Sequence, residues 1–309
     1  MTEVFRVAAP GLFTTIQDLG RPQAIASGVT PGGAMDRFAH SAANLVVGND
    51  PSAATLECTL IGPRLVALRP CLIAITGADL EARLNGAPAA TWTGFSMSAG
   101  DELTFGHRRG GARAYVAVAG GVVGDRWLGS MSTNVMAGRG GMSGRRLMSG
   151  DVVFAAEPFY LADAGSHLAA NLRPQYADHA LHAIDGPHAK RLTTESRSAL
   201  FSFSFSLSPN SNRMGYRLDG ARLEAPGEEL LSFGLIAGVL QLPSGGQPIL
   251  LMADHQTAGG YPVIATVAGA SMPLAAQLAP GDEVRFVETS IEAALEMRAA
   301  QRAALDSII

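Results

Sequence analysis

The stretch SFSFSLSPNSNRMGYRLDG, residues 202–220, joins a strand pattern to a dense group of polar side chains. In its first half, phenylalanine and leucine alternate with serine. Successive side chains of a strand point to opposite faces of a sheet, so this alternation predicts a strand over residues 200–207 with one apolar face. Pro209 and Asn210 then end the strand.

The second half of the stretch places two arginines close together. If residues 212–218 continue as a strand, Arg213 and Arg217 point to one face and Gly215 leaves a gap between them. Two guanidinium groups so arranged suit a carboxylate, a phosphate or a polarised carbonyl oxygen. In the alternative interpretation, the arginines are solvated or pair with acids such as Asp219 and Glu224.

Short β-rich segments recur along the rest of the chain and predict a mainly β protein built of sandwiches or barrels. Two longer helices are predicted. One runs from Arg37 to Val47 and is opened by Asp36, and the other is C-terminal, where Thr289 and Glu292 match a capping box. The predicted strands lie at residues 65–68, 72–76, 103–105, 114–119, 152–155, 200–207, 239–242, 249–252, 263–267 and 284–287.

One turn recurs three times along the chain. A Gly-Asp pair enters a strand-like segment at residues 100–105, 150–154 and 281–286, each with a phenylalanine predicted to point inward. The first and last copies lie about 180 residues apart, which favours two related β-domains; alternatively, Gly-Asp turns are simply common in β proteins. The predicted domains are residues 1–175 and 176–289, followed by a C-terminal helix over residues 290–309.

Composition excludes several classes of function. The net charge is −4 and no basic tract occurs, so nucleic acid is not an expected partner. Lys190 is the only lysine; it lies in no P-loop and lacks the surroundings of a biotin-carrying lysine. Cys58 and Cys71 have no paired spacing, and we find neither a signal-peptide pattern nor a membrane-spanning run. These features predict a cytoplasmic protein.

Residues 10–22 place hydrogen-bonding side chains between glycines and prolines. A loop of this kind can present Asp18 and Arg21 to a ligand; alternatively, the two side chains pair with each other and close their own turn. Asp36 precedes a predicted helix, and capping that helix is its simplest role. The glycines at 32–33 would let an anion approach the backbone amides.

A third polar group follows the apolar segment 249–252. Asp254, His255 and Tyr261 are candidates for acid–base chemistry there. No serine or cysteine lies in a nucleophile-elbow motif, which argues against a Ser-His-Asp hydrolase. The histidines do not form a metal-binding set, so no metal is predicted.

Taken together, nine segments resemble the biotin-dependent carboxyltransferase family, also called the allophanate hydrolase subunit 2 family. The resemblance extends in family order from residue 10 to about residue 287. Residues 122–127 depart from the usual family motif, and Ala258 stands where the family often has threonine. The matching segments are PGLFTTIQDLGRP (10–22), GAMD (33–36), ANLVVGN (43–49), LECTLIGP (56–63), AYVAVAGG (114–121), LGSMST (128–133), GRRLMSGD (144–151), SNRMGYRL (211–218) and PILLMADHQTAGGYPVIATV (248–267).

This resemblance implies two cyclophilin-like β-barrel domains with a few short helices, and it implies work within a complex. In carboxylases of the family, another protein or domain delivers carboxybiotin and another uses ATP. In the oxoprolinase members, the companions are an inhibitor-like B subunit, of the allophanate hydrolase subunit 1 type, and a lactam-utilisation A subunit. The implied ligand is a small amide, with no nucleic acid or membrane partner.

The resemblance also implies a cleft in which arginines and backbone amides stabilise charge on a carbonyl oxygen, while Asp254 or Tyr261 moves a proton. The expected catalytic residues are Arg213, Arg217, Asp254 and Tyr261. The expected substrate-binding residues are Gln17, Asp18, Arg21, Asp36, Asn212, Tyr216, Thr257, Gly259 and Gly260.

Three functions are consistent with this family. The first is the C component of an ATP-dependent 5-oxoprolinase, which converts 5-oxoproline to glutamate. The second is a biotin-dependent carboxyltransferase acting on urea or a related amide. The third is a regulatory protein that binds an inhibitor of a histidine kinase.

Overall fold

A computed structural model of the protein describes residues 1–156 and 165–308. The chain forms two compact units. The first unit comprises Met1–Arg21, Gly32–Tyr176 and Arg302–Ile309, and the second comprises Pro22–Pro31 and Ala177–Gln301. The domain division at residues 175 and 289 expected from the sequence stays a prediction, since each unit also takes in a segment from elsewhere in the chain.

The first unit contains two β-sheets and the helix α1 (Arg37–Val46), with a 3-10 turn at Ala170–Leu172. Its strands are β1 (Thr2–Ala9), β2 (Phe13–Gln17), β3 (Thr55–Thr59), β4 (Arg64–Ala67), β5 (Cys71–Asp79), β6 (Arg83–Leu84), β7 (Ala87–Pro88), β8 (Gly94–Met97), β9 (Glu102–Thr104), β10 (Gly110–Val118), β11 (Val122–Val123) and β12 (Val152–Ala155). One sheet has the order β11-β12-β1-β4-β9-β6-β7, and the other has the order β2-β3-β10-β5-β8.

The core of the first unit lies on both faces of the five-stranded sheet. Strands β5 and β10 are antiparallel neighbours and are buried along almost their whole length. On one face, Ile73 and Ile75 join a cluster with residues of the seven-stranded sheet. On the other face, Leu72 and Ala74 pack beneath α1. This double burial explains why β5 is continuously apolar rather than alternating.

The second unit contains a closed seven-stranded barrel and a separate two-stranded sheet. The strands are β13 (Ala180–Asp185), β14 (Ser204–Leu207), β15 (Gly215–Asp219), β16 (Phe233–Gly234), β17 (Val239–Gln241), β18 (Ile249–Leu251), β19 (Ala258–Gly259), β20 (Val263–Val267) and β21 (Glu283–Glu288). The barrel has the order β13-β20-β17-β18-β15-β14-β21, and β16 pairs with β19. Parallel pairing of β13 with β21 closes the barrel, so its strands have no free edge.

The helices of the second unit are α2 (Thr194–Ser202) and α3 (Met272–Ala276), with 3-10 turns at Pro22–Ser27, Ala189–Arg191 and Gly269–Ser271. The last helix, α4 (Ile291–Asp306), contributes residues to both units. Across residues 1–156 and 165–308, no helix has the length and apolar character needed to cross a bilayer.

The prediction of a mainly β fold with a C-terminal helix is confirmed. Helix α1 is confirmed too, and the Asp36 carboxylate caps it by accepting the backbone N–H of Ala39 at 2.8 Å. The capping-box prediction for α4 is wrong in detail. The hydroxyl of Ser290, and not that of Thr289, accepts the N–H of Ala293 at 3.1 Å.

The strand predicted over residues 200–207 is wrong in its first part. Residues up to Ser202 belong to α2, and the strand β14 begins only at Ser204. The Thr193 side chain caps α2 by accepting the N–H of Ser196, and this capped helix overrides the alternating pattern. As a result, Phe203 is 59% exposed instead of lying on a buried face.

The Gly-Asp turn has the same structure in all three copies. The glycines Gly100, Gly150 and Gly281 have φ values of 90°, 91° and 88°, a conformation that favours glycine. Each following aspartate accepts the backbone N–H of the residue three positions earlier, at 2.7 to 2.8 Å. Of the three phenylalanines predicted to point inward, only Phe286 is fully buried. The shared geometry supports duplication, which stays a prediction.

A buried histidine connects α1 to the five-stranded sheet. The Nδ1 atom of His40 lies 2.9 Å from the Thr55 hydroxyl, and Asn44 lies near its other ring nitrogen. Burial lowers the pKa of His40 from 6.5 to about 4, because the charged imidazolium would lose its water. The protein therefore holds this ring in its neutral form.

We expect His40 to make the stability of the protein depend on pH. Its pKa is lower in the folded protein, so the unfolded chain binds more protons between pH 4 and 6.5. The free energy of unfolding should rise across this window by roughly 3 kcal/mol from this residue and then level off. Denaturant titrations of the wild type and His40→Gln at several pH values measure the difference, and equal pH dependence of the two proteins would contradict it.

Candidate functional site

The Asp18 carboxylate, predicted to bind substrate, organises a loop of its own unit. One oxygen accepts the Gly20 N–H at 2.7 Å and the Ser130 hydroxyl at 2.6 Å, and the other accepts the Met131 N–H at 2.7 Å. We call residues 124–146 the clamped loop, because it has no regular strand and its backbone is held by such contacts.

The neighbouring side chains Gln17 and Arg21 hold the same loop, and both are fully buried. The Gln17 amide donates to the Thr133 carbonyl at 3.3 Å and accepts from the Ser132 hydroxyl. The Arg21 guanidinium donates to the carbonyls of Trp127 and Ser132, and it stacks 4.8 Å from the centre of the Trp127 ring. The structure therefore brings Gln17, Asp18 and Arg21 together, with the loop as their common partner.

Asp36 belongs to a second buried polar network in the first unit. Besides capping α1, its carboxylate accepts the Tyr176 hydroxyl at 2.7 Å. The backbone N–H of Asp36 donates to the Tyr115 hydroxyl at 2.7 Å, and Tyr115 in turn donates to Glu57 at 2.8 Å. Glu57 also accepts the Met35 N–H at 2.8 Å.

Tyr115, which lies between Asp36 and Glu57 in this network, is not among the candidate site residues expected from the sequence. Burial, and then the Glu57 and Asp36 carboxylates, raise the pKa of Tyr115 well above its usual value, so the phenol keeps its proton. Glu57 is fully buried on β3. The sequence signal that could have revealed this network is Tyr115 within the apolar segment AYVAVAGG, because a buried hydroxyl group needs a hydrogen-bond partner.

In the second unit, Arg213 and Asp254 form a bidentate ion pair. The Nε and Nη2 atoms of Arg213 lie 2.8 Å and 3.1 Å from the two carboxylate oxygens. The side chains are only 12% and 16% exposed, so the pair is poorly screened by water. The Asp254 N–H also donates to the Arg213 carbonyl at 2.8 Å, which fixes the two backbones together.

The other residues of SNRMGYRL have different positions. Arg213 lies in the turn before β15, and Arg217 is on the exposed face of that strand, opposite the buried Tyr216. The Asn212 carboxamide accepts the Met214 N–H at 2.8 Å and shapes the turn. Of the two arginines expected to act together, Arg213 is therefore bound to Asp254, whereas the Arg217 side chain is exposed.

Tyr261 and Gly260 line a cavity of about 500 Å³ within the second unit. A side chain at Gly260 would overlap the Leu230 carbonyl oxygen, so glycine lets the segment before β16 pass close by. The Thr257 carbonyl accepts the Leu235 N–H at 2.9 Å, and Gly259 pairs with Phe233. The remaining lining residues are Arg191, Arg222, Leu223, Glu224, Ala225, Pro226, Gly227, Glu228, Glu229, Leu230, Leu242, Pro243, Ser244 and Pro262.

The buried Gln241, the half-buried Gln256 and a buried histidine adjoin this segment. His255 is buried, and its Nδ1 atom lies 2.7 Å from the Gln256 carbonyl oxygen. Burial lowers the pKa of His255, which favours the neutral ring. The Gln256 amide donates to Gln241 on β17 at 3.0 Å. No group of three or more potential metal ligands occurs in the described part of the chain.

We expect the Arg213–Asp254 pair to be energetically coupled. In a double-mutant cycle with Arg213→Met and Asp254→Asn, the coupling free energy should be roughly 1–3 kcal/mol, because each single change leaves a poorly solvated partner. The matched control is the Arg285–Asp178 pair, whose side chains are 62% and 51% exposed. Its coupling should stay below about 1 kcal/mol. Equal coupling in the two cycles would contradict this assignment.

Curated relatives of about the same length are oxoprolinase components. The chain is 40% identical over 302 residues to the 5-oxoprolinase C subunit of Escherichia coli (strain K12), covering 97% of this chain and 96% of that protein. It is 33% identical over 295 residues to the protein of the same name from Haemophilus influenzae, covering 95% and 94%.

Other relatives are much longer proteins. Urea amidolyase of Lachancea kluyveri is 32% identical over 327 residues, and the match covers 98% of this chain but 18% of that protein. The crystal structure of the K. lactis urea amidolyase superposes with a TM-score of 0.92 at 30% identity, covering 99% of this chain and 20% of that one.

The resemblance found in the sequence is confirmed by a match over most of the chain. Residues 27–288 match the family described as carboxyltransferase domain, subdomain A and B. This chain belongs to that carboxyltransferase family.

Proposed function

We propose that this chain is the C component of an ATP-dependent 5-oxoprolinase, which opens the ring of 5-oxoproline with water and ATP to give glutamate, ADP and phosphate. The proposal rests mainly on one observation. The 40% identity to the Escherichia coli C subunit extends over 97% of this chain and 96% of that protein. The urea amidolyase relatives match over the same residues, but these are a small part of their length.

The chain is proposed to act with companions. It has no P-loop sequence, so the ATP-binding machinery is assigned to other subunits. An inhibitor-like B subunit and a lactam-utilisation A subunit are the proposed companions. When the nucleotide is bound in the assembled enzyme, its hydrolysis supplies the free energy for opening a stable five-membered amide ring.

The proposed chemistry in this chain concerns the amide carbonyl group. Attack on the carbonyl carbon places negative charge on its oxygen, and a guanidinium can stabilise that charge. Arg217 is proposed for this role because it is exposed and no ion pair within the described residues engages it. Asp254 is proposed to accept or return a proton, with Arg213 orienting its carboxylate through two hydrogen bonds. Tyr261, which is 50% exposed, is proposed to contact substrate.

The remaining predicted residues are assigned supporting roles. Asn212 shapes the turn that carries Arg213, and Tyr216 packs in the barrel wall. Thr257, Gly259 and Gly260 fix the segment that carries Tyr261. In the first unit, Gln17, Asp18, Arg21 and Asp36 are proposed to act through the elements they hold, because their polar groups already bond to the protein.

We expect Arg217→Ala to reduce 5-oxoproline-dependent ATP hydrolysis by the assembled complex by roughly 100-fold or more, since one charge-stabilising donor is lost. The matched control is Arg298→Ala, which removes an exposed arginine of α4. Both variants should retain the wild-type melting temperature within about 1 °C, because surface arginines contribute little to stability.

The assay separates the possible outcomes. Wild-type turnover by Arg217→Ala would remove that residue from the mechanism. Failure of the wild-type complex to hydrolyse ATP in response to 5-oxoproline would refute the oxoprolinase proposal itself.

The second candidate is a carboxyltransferase acting on urea or a related amide. It is favoured by the match of nearly the whole chain to urea amidolyase, including the TM-score of 0.92 to the K. lactis structure. Carboxybiotin would then be delivered by another protein, since this chain lacks a carrier lysine in a suitable surrounding. Urea-dependent decarboxylation of carboxybiotin on a separate carrier protein, without a response to 5-oxoproline, would support this candidate instead.

A further inference from the structure

The cavity of about 500 Å³ that Tyr261 lines has the size and the composition of a small-molecule site. We call it the Tyr261 cavity. Its wall combines apolar side chains, among them Leu223, Leu242 and Pro262, with a few charged and hydroxyl groups. Sites for small molecules have the same mixture, because the apolar wall excludes water and the few polar groups orient the ligand. All of the lining residues belong to the second unit.

The charged groups of the Tyr261 cavity are two arginines and three glutamates. Arg191 is half-buried and Arg222 is exposed, and neither makes an ion pair with any residue of the two described ranges. The carboxylates of Glu224, Glu228 and Glu229 line the same cavity, yet none of them pairs with either arginine. The wall therefore keeps guanidinium groups whose charge no neighbouring carboxylate neutralises.

The backbone of the cavity wall holds the Arg191 guanidinium in place. Its Nη1 atom donates to the Glu228 carbonyl oxygen at 2.8 Å. Gly227 has a φ of 142°, and a Cβ atom at this position would lie only 3.2 Å from the Cζ and Nη1 atoms of Arg191. Glycine therefore lets the guanidinium lie against the backbone. The remaining N–H groups of Arg191 keep a fixed orientation for a ligand, whereas no hydrogen bond to a described residue fixes the exposed Arg222 guanidinium.

The groups that line the cavity match the chemistry of 5-oxoproline better than that of urea. A planar guanidinium such as that of Arg191 binds a carboxylate. The hydroxyls of Tyr261 and Ser244 can each donate and accept, so they suit the N–H and the carbonyl of an amide. The apolar side chains suit methylene groups. 5-Oxoproline carries a carboxylate, a ring amide and ring methylenes, whereas urea offers only the amide groups.

We propose that the Tyr261 cavity binds 5-oxoproline and that Arg191 holds the carboxylate of this ligand. Arg191 is then the residue that distinguishes 5-oxoproline from amides without a carboxylate. It acts on specificity and not on the chemical step, because it binds a part of the substrate that does not react. This inference rests on the proposed function, since it takes its ligand from the reaction proposed above.

The test compares two lactams in the assembled complex that carries Arg191→Met. Without ATP, titration calorimetry measures the affinity for 5-oxoproline and for 2-pyrrolidinone, which has the same ring but no carboxylate. The affinity for 5-oxoproline should fall roughly 10- to 100-fold, because charge-assisted hydrogen bonds are lost. The affinity for 2-pyrrolidinone should stay at the wild-type value, which also shows that the cavity of the variant is intact. In the presence of ATP, the KM for 5-oxoproline should rise by a similar factor, while kcat changes less than about threefold.

Three further variants make the test specific to one side chain. Arg191→Lys keeps the charge but loses the planar fork, so it should restore part of the affinity for 5-oxoproline. Arg222→Met removes the other arginine of the cavity and should weaken binding less than Arg191→Met does. Arg298→Met, the matched control, removes an exposed arginine of α4 and should leave the affinities for both lactams unchanged.

Each outcome decides the inference. Wild-type affinity of Arg191→Met for 5-oxoproline overturns it, as does an equal loss of affinity for both lactams, an equal loss in Arg222→Met, or a wild-type complex that does not bind 5-oxoproline. If the complex turns over 5-oxoproline and Arg191→Met behaves like the wild type, the proposed function stands and this inference fails. If 5-oxoproline binds through Arg191 but does not stimulate ATP hydrolysis, the inference stands and the proposed function fails.

Discussion

The clamped loop of the first unit is held in place by its hydrogen bonds with the side chains of Asp18 and Arg21. The loop spans more than twenty residues without a regular strand, and its isolated backbone pairs, such as Asp125–Gly141 and Trp127–Ser130, leave other backbone groups that need partners outside the loop. A carboxylate that accepts Ser130 and Met131, and a guanidinium that donates to Trp127 and Ser132, meet this need instead. Charged groups make such hydrogen bonds stronger than neutral ones do.

The contacts of Asp18 with the loop could not be predicted from the sequence. Asp18 and its loop partners lie 112 and 113 positions apart in the chain, and no local pattern reveals a partner at that distance. The sequence allowed a local Asp18–Arg21 pair or a ligand site. In the structure each side chain bonds to the loop, and their assignment as substrate-binding residues stays a prediction. Buried polar groups need partners, and here the protein provides them.

The elements that depend on local signals were predictable, as the strands β5, β10 and β20 and the Asp36 cap of α1 illustrate. The errors at residues 200–202 and at Ser290 arose where two local signals compete and tertiary contacts choose between them. Among the candidate site residues, the opposite faces of Tyr216 and Arg217 followed from strand alternation. The pairing of Arg213 with Asp254 did not, because it joins two segments 41 residues apart.

That ion pair limits what each group can do in the proposed chemistry. A guanidinium that already makes two hydrogen bonds to a carboxylate has fewer donors for a developing oxyanion, so it acts mainly by orienting its partner. An oriented carboxylate needs little reorganisation when a proton is transferred, which is the advantage of preorganised polar groups over water. The negative charge on the carbonyl oxygen must then be stabilised by a donor that is not already bound to a carboxylate. The exposed Arg217, whose strand is fixed by the buried Tyr216 beside it, satisfies that requirement in the second unit.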